Sequence, residues 1–489
     1  MTPVSIFNDV IGPVMRGPSS SHCAAALRIG RLARDLMGGE IEEVLVEFDR
    51  LGSLPATHES QGSDMGLFGG LLGWEADDER LPDSAEALAD AGVRLRFETV
   101  DVGDPHPNTY RLTLKNARET HTLVAISTGG GMIEVVELDG MAVSLDGGCE
   151  VPLKREADAT LRVCSDGDDG AAVRLLQRVL PVPSRSGIRV PFTSCAEMLE
   201  HDGGRHTPLW KLAVEYERER SGFTGEEVIT RMEDIVRILR KSIARGIAGT
   251  SYEDRVLHHQ SGRFAEMMNK GRLLDGGALN RIILYVTALM EVKSSMGVIV
   301  AAPTAGACAA LPGAVIAMAE VLGKGEREMA EAMLAAGVAG VFIATRWTFA
   351  AEVGGCQAEG GAAACMAAAA LVTLAGGTRD EALAAASMAF QSMLGLICDP
   401  IANRVEAPCL GKNVMAAANA LSCANMALAG FDPLIPLDQV IDAAKAVSAE
   451  MPREHRCTSL GGLAVTPASV EIEKRLKGMK SGCRGGCAC

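Results

Sequence analysis

VGGCQAEGGAAACMAAAALVTLAGG occupies residues 353–377. From Gly361 onward the stretch is almost wholly apolar and rich in alanine, the strongest helix former, and it ends on Gly376-Gly377, residues that stop helices. A helix that is apolar all round has no side to offer water, so this one belongs at the centre of a helical domain. The glycine-rich half ahead of it carries Cys356. A break beside a buried helix exposes backbone N–H groups and a helix terminus, the kind of place where anions and cofactors sit.

The same pattern recurs on both sides. Upstream, Ser294 to Ala319 is uncharged but interrupted by Pro303, Gly306, Pro312 and Gly313. Downstream, Cys398-Asp399-Pro400 and Ala407-Pro408-Cys409 set two more cysteines at the ends of a loop with proline at both sides. Residues 226–245 place apolar side chains at 228, 229, 232, 235, 236, 239 and 243, one face of an amphipathic helix. The pattern from 192 to 478 therefore predicts an all-helical domain. Its alanine-rich runs are long enough to span a bilayer, but their interruptions and small side chains favour buried core helices.

Residues 1–150 read differently. A helix over 28–37 closes on Gly38-Gly39, and 42–48, 94–101, 110–114, 123–127 and 133–138 are strand-like, the last two joined by a glycine turn at 128–131. This half is expected to be an α+β domain. Residues 151–191, with a polar stretch at 165–170 and prolines at 181, 183 and 191, are expected to be a linker or shrunken module. Residues 479–489 form a cysteine-rich tail.

The 489 residues include 47 Lys+Arg against 62 Asp+Glu, a net charge of −15, with 48% apolar residues. That excludes a disordered chain and leaves no basic face for nucleic acid. Fourteen cysteines are too few, in a chain this long, for a disulfide scaffold. Residues 1–20 lack a continuous apolar stretch, so a cytoplasmic, reducing setting is expected. No GxxxxGK[ST], GxSxG or HExxH is present, and no GxGxxG follows a strand.

Cys356, Cys398 and Cys409 are candidate ligands for a soft metal or an iron–sulfur cluster, and three ligands plus an open position suit a Lewis acid. Three buried thiols packing as small hydrophobes fit the same spacing. Cys483, Cys487 and Cys489 read as a metal or thiol-exchange tail, or as a frayed terminus. Ser19, Ser20, Ser21 and His22 sit at a helix start, where hydroxyls and N–H groups can cap the helix or hold a carboxylate. His106-Pro107-Asn108 lies in a turn between strands, Thr304 in the small-residue turn 302–307, and Asp64 and Glu352 are single carboxylates without diagnostic spacing.

Taken together these motifs resemble the iron–sulfur-dependent L-serine dehydratases, also called L-serine ammonia-lyases. Residues 5–14, GPSSSH at 17–22, HPNT at 106–109 and STGGG at 127–131 resemble the family's β part. APTAGA at 302–307, GGCQAE at 354–359, LGLICDP at 394–400, VEAPC at 405–409 and GGLA at 461–464 resemble its α part. The resemblance implies that the α+β domain is of the substrate- or effector-binding kind, that the all-helical domain is the catalytic one, and that water is eliminated from L-serine to give pyruvate and ammonia. It implies a [4Fe–4S] cluster on Cys356, Cys398 and Cys409, with an open iron for the substrate hydroxyl. It implies a substrate site of Ser20, Ser21, Asn108 and Thr304, with His22 and His106 as catalytic candidates. A tail cysteine reaches the cluster in some relatives, and Cys489 is the matching residue, followed by Cys487. The expected partner is a small amino acid and the expected assembly a homodimer, with no membrane or nucleic acid.

The chain departs from the family at several places. Position 23 is Cys where Thr is usual, Gln61 replaces a histidine, and Lys293 stands where relatives tend to have Asn. Arg346-Trp347-Thr348-Phe349 replaces a small-residue stretch, and Glu359-Gly360-Gly361 departs from Glu-Val-Gly. These positions bear on the substrate more than on the fold. They leave open another β-substituted amino acid, such as threonine or cysteine, and a non-catalytic cluster-bearing redox sensor. A pyridoxal-phosphate dehydratase is disfavoured, since no glycine-rich phosphate cup adjoins a candidate Schiff-base lysine.

Overall fold

The computed structural model describes residues 3–165, 172–183 and 187–483, with side chains up to 478. The chain forms two compact units. One runs from Ser19 to Gly187, and the other combines residues 3–18 with the chain from Ile188 onward.

The first unit is the expected α+β fold. Its main sheet has six strands in the order Arg94–Val100, Glu43–Asp49, Thr109–Lys115, Thr120–Gly129, Met132–Leu138, Met141–Leu145. The first pair is parallel and the others antiparallel. Alternation sets the register of the core: Val44, Val46 and Phe48 point inward from one strand, and Tyr110, Leu112 and Leu114 from its neighbour. Helix Ala25–Leu36 buries Ile29, Leu32, Ala33 and Leu36 in the same core. It packs on helix Ser63–Leu71 through glycine, because a Cβ at Gly70 would lie 2.1 Å from the Leu27 carbonyl oxygen.

Residues 151–165 and 172–180, within the stretch 151–191 expected to be a linker or shrunken module, are folded. Val151–Arg155, Leu161–Val163 and Arg174–Leu176 form a three-stranded antiparallel sheet. Val151, Leu153, Leu161, Leu176 and Val179 join the core of the main sheet. Two of the three strands have only three residues, too short for a period-of-two signal to stand out among turn residues.

The second unit is helical, as expected, but it also claims residues 3–18, which the sequence reading assigned to the α+β domain. Ser5 caps the turn Ile6–Val10, accepting from the Phe7 N–H at 3.1 Å, and donates its own hydroxyl to Glu217 at 2.9 Å. A Cβ at Gly337 would lie 2.6 Å from Ile6, and one at Gly340 2.2 Å from Val10. Helix Glu326–Arg346 therefore accepts this segment only by omitting side chains at those positions. Val14–Met15 then pairs antiparallel with Ile299–Val300.

At the centre of this unit lies Ala362–Leu374, with every side chain buried except that of Thr373. It packs against helices Ala310–Leu322, Glu326–Arg346, Arg379–Gln391 and Cys409–Leu428. Small side chains let helix axes approach closely, which is what the alanine excess achieves. The uncharged run 294–319 is broken into the end of one helix, a two-residue strand, a turn and helix Ala310–Leu322. Glu326–Arg346 and Gln357–Leu374 are long and apolar enough to cross a membrane, and 78% and 89% of their apolar windows is buried within the fold.

Candidate active site

Helix Cys409–Leu428 begins directly after Pro408, so Cys409, Lys412 and Asn413 fall at i, i+3 and i+4 on one face of its first turns. Asn413 is fully used. Its Oδ1 accepts from the N–H groups of Ala309 (3.2 Å) and Ala310 (3.1 Å), and its Nδ2 donates to Gly306 O and Cys409 O, both at 2.8 Å. These bonds tie the turn containing Thr304 to the start of the Cys409 helix.

Lys412 ties in the other two segments. Its ammonium donates to Ile397 O at 2.7 Å and to Asp399 Oδ1 at 2.6 Å, and lies 3.7 Å from Cys356 Sγ. Asp399 Oδ2 accepts from Leu463 N–H at 3.0 Å. Gly462 has φ +60°, and a Cβ there would stand 2.6 Å from Asp399 Cβ, which accounts for glycine in the GGLA motif. Burial works against the Lys412 charge, but Cys356, Asp399 and Cys398 together raise its pKa above the ordinary lysine value.

Cys356 and Cys409 line one narrow recess together with Gly306, Glu359, Lys412 and Asn413. Cys398 sits beside it. Its thiol hydrogen-bonds with those of Cys356 and Cys457, which together with burial push its pKa well up. Burial likewise pushes Cys409 up. Burial also raises the Glu359 carboxyl, partly offset by its hydrogen bond with Thr304 and by Lys293 and Lys412. Among the described residues, no three His, Cys, Asp or Glu side chains converge tightly enough for a single metal ion.

The remaining candidates of the helical unit fall as follows. Thr304 is buried, and its hydroxyl accepts from Ala307 N–H at 3.1 Å besides bonding Glu359. Cys487 and Cys489 lie outside the described residues, and helix Pro467–Cys483 takes up the first part of the expected tail.

In the sheet unit, Ser20, Ser21 and His22 are buried in a turn of π-helix, Ser20–Ala24. Serine does not cap it as the sequence suggests. Ser19 Oγ turns instead to His22 Nδ1 at 3.0 Å, and His22 Nε2 meets Thr57 Oγ1 at 2.8 Å. Burial, with a smaller push from His58, lowers the His22 pKa to about 3, so the ring is neutral at pH 7. His106 is half-buried, its pKa also lowered by burial, and its Nδ1 accepts from Asn108 N–H at 3.2 Å. Asn108 is buried and takes a hydrogen bond from Ser53, while its Nδ2 has no partner among the described residues. Ser127 donates its backbone N–H to Asn108 O at 3.0 Å, and its buried hydroxyl is also unpartnered among them. Asp64 is paired with His58 at 2.6 Å.

Sequence reasoning did not single out Lys412, Asn413, Asp399 or Ser127, and it read Cys457 as a buried thiol, which it is, without placing it against Cys398. The spacing of Lys412 and Asn413 from Cys409 was a usable signal once the helix start was fixed at Pro408. Ser127 stood within a quoted motif, but an unmet hydroxyl is a property of tertiary structure.

Comparison with known proteins agrees with this layout. The family described as serine dehydratase alpha chain matches residues 204–464. A probable L-serine dehydratase alpha chain of Bacillus subtilis is 34% identical over 293 residues, covering 60% of this chain and 98% of that one. The probable beta chain of the same organism is 43% identical over 143 residues, 29% of this chain and 64% of that one. An L-serine dehydratase of Streptomyces coelicolor is 28% identical and spans 92% of this chain and 96% of its own length. With an alpha-type helical unit and a beta-like portion in one polypeptide, the chain belongs to the serine dehydratase alpha-chain family.

Proposed function

We propose that this protein eliminates water from L-serine to give pyruvate and ammonia, and that Cys356, Cys398 and Cys409 hold a [4Fe–4S] cluster. One observation carries the reading: two buried cysteines, Cys356 and Cys409, line one lysine-bearing recess, and a third from another segment, Cys398, hydrogen-bonds Cys356. The donor set fits. Thiolates are the ligands iron–sulfur clusters take, and a cluster of several irons holds its thiolates farther apart than a single ion does. When bound, the cluster supplies a Lewis-acidic iron, which makes hydroxide a better leaving group.

The chain's own groups do the rest. The thiols release protons as they become ligands, and the Lys412 ammonium offsets the negative charge they acquire. Asp399 and Ile397 O hold that ammonium in place. We assign the α-proton to a neutral imidazole, His22 or His106, since a protonated ring could not accept it. Ser20, Ser21, Asn108 and Thr304 are proposed to bind substrate, with the unmet Nδ2 of Asn108 the best supported of the four. The aminoacrylate released by elimination tautomerises and hydrolyses without further catalysis. We place the enzyme in the cytoplasm, where its thiols stay reduced, as a homodimer.

The test is anaerobic purification of the full chain, assay of iron and inorganic sulfide, and keto-acid release from serine, threonine and cysteine. Brown protein with serine as the fastest substrate is expected. Active protein free of iron would overturn the cluster, and turnover of threonine or cysteine but not serine would overturn the substrate.

A further inference from the structure

Lys293 ends helix Ala278–Ser294, and none of its surface is exposed. Hiding an ammonium is costly unless an acceptor or a counter-ion meets it. Among the described residues, no hydrogen-bond partner reaches its Nζ. Four acidic groups lie within electrostatic reach, namely Cys308, Glu359, Glu406 and Cys409. None of them closes on it. Glu406 spends its carboxylate on the N–H groups of Val256 (2.9 Å) and Leu257 (3.0 Å), and Glu359 bonds Thr304. Glu291, on the same helix, is taken by Gln260 N–H and by the Ser261 hydroxyl.

A position at the last turn of a helix suits a cation, but the end dipole is worth too little to account for burying one without a partner. Packing alone would be served better by methionine, which has similar length and no charge to desolvate. What remains is a cation kept for a negative group that arrives from outside. Lys293 is not itself part of the recess wall, but its charge acts on Cys409 and Glu359, which are, and the recess is where we place that group.

We infer that Lys293 is the receptor for the carboxylate of the amino-acid substrate, making it a binding residue rather than a proton carrier. The inference rests on the reading that the recess hosts elimination from an amino acid. Every such substrate presents a carboxylate, and none of the described acidic neighbours hydrogen-bonds this ammonium.

The test uses L-alanine, which has the carboxylate but no leaving group, and L-alaninamide, which has neither. Both are titrated calorimetrically into the anaerobic holoprotein. Wild type should bind alanine roughly 10- to 100-fold more tightly than alaninamide, the range for a charge-assisted hydrogen bond. Lys293→Met should lose that preference and Lys293→Arg keep most of it. Lys293→Met should also raise the melting temperature, since the unpaired charge is gone, whereas loss of a structural lysine would lower it. An unchanged preference in Lys293→Met overturns the inference. So does a fall in its iron and sulfide content with alanine binding intact, because the lysine would then serve the cluster. Wild type that releases no keto acid from serine, yet prefers alanine in a Lys293-dependent way, would remove serine as substrate and leave the receptor standing.

Discussion

Two buried polar centres, one in each unit, are built on opposite principles. Around Lys412 the centre is charged and satisfied: the ammonium meets Asp399, a carbonyl and a thiol, and Asp399 is itself held by Leu463 N–H. Around His22 and Asn108 the centre is neutral and left partly unmet, with an uncharged imidazole, hydroxyl partners and two idle donors at Asn108 and Ser127. On the proposed function, the charged centre is the one that holds a resident negative group. The neutral one keeps hydrogen-bonding capacity in reserve. Donors unmet among the described residues suit a ligand that comes and goes, whether neutral as at Asn108 or charged as at Lys293, whereas satisfied groups suit a resident cofactor.

The strongest way to break this contrast is at the thiols. Cys409→Ala should abolish bound iron and reduce keto-acid release by more than about 100-fold, since removing a ligand exceeds the effect of removing a supporting residue. Asn108→Ala should leave iron content unchanged while weakening substrate use. Iron loss in both variants, or in neither, would erase the distinction between a permanent and a transient occupant.

Next is Lys412→Met. It leaves Asp399, 5% exposed, as an uncompensated buried carboxylate. Breaking a buried pair from one side costs about 3 kcal/mol or more, and unfolding by denaturant would measure it. Lys412→Arg retains the charge and should recover part of the loss. Equal stability of Lys412→Met and wild type would mean that this lysine holds no structure together.

The sheet unit's centre should respond to pH instead. The His22 pKa falls from 6.5 to about 3 on folding because the ring is buried. Between those values the unfolded chain takes up a proton that the folded chain refuses. Stability is therefore intact above pH 6.5 and declines as pH falls, by about 1.4 kcal/mol per unit from this group. His22→Gln should flatten that part of the profile, read from the acid dependence of the unfolding midpoint. An unchanged slope would place the acid sensitivity elsewhere.

Much of this could be read from the chain alone, and the failures share a cause. The strands at 94–100 and 109–115 announce themselves by alternation, that at 43–49 by its run of Val and Leu, and the Ala362–Leu374 helix by having no polar side. Cys356, Cys398 and Cys409 stood out because each adjoins a glycine or proline break. Residues 3–18 were misassigned because their partners are remote: Arg16 donates to Met296 O, 280 residues away, at 2.9 Å. Periodicity carries no information about such pairings. The same holds for Ser19, which local rules make a helix cap but which His22 recruits, and for Lys293, whose lack of a partner only tertiary structure reveals.

The smallest expected effect is the most discriminating. Ser127 Oγ is buried and unpartnered among the described residues, one strand across from the equally idle Asn108 Nδ2. A buried hydroxyl without a partner contributes nothing to the folded state and loses its hydration, so Ser127→Ala should change stability by no more than about 0.5 kcal/mol, or raise it slightly. If the pair is kept for substrate, the same variant should raise KM several-fold with kcat nearly unchanged, since it removes binding and no chemical group. A stability loss above about 1 kcal/mol would show that the hydroxyl is spent on the fold. The sheet unit's centre would then be as fully committed as the one around Lys412.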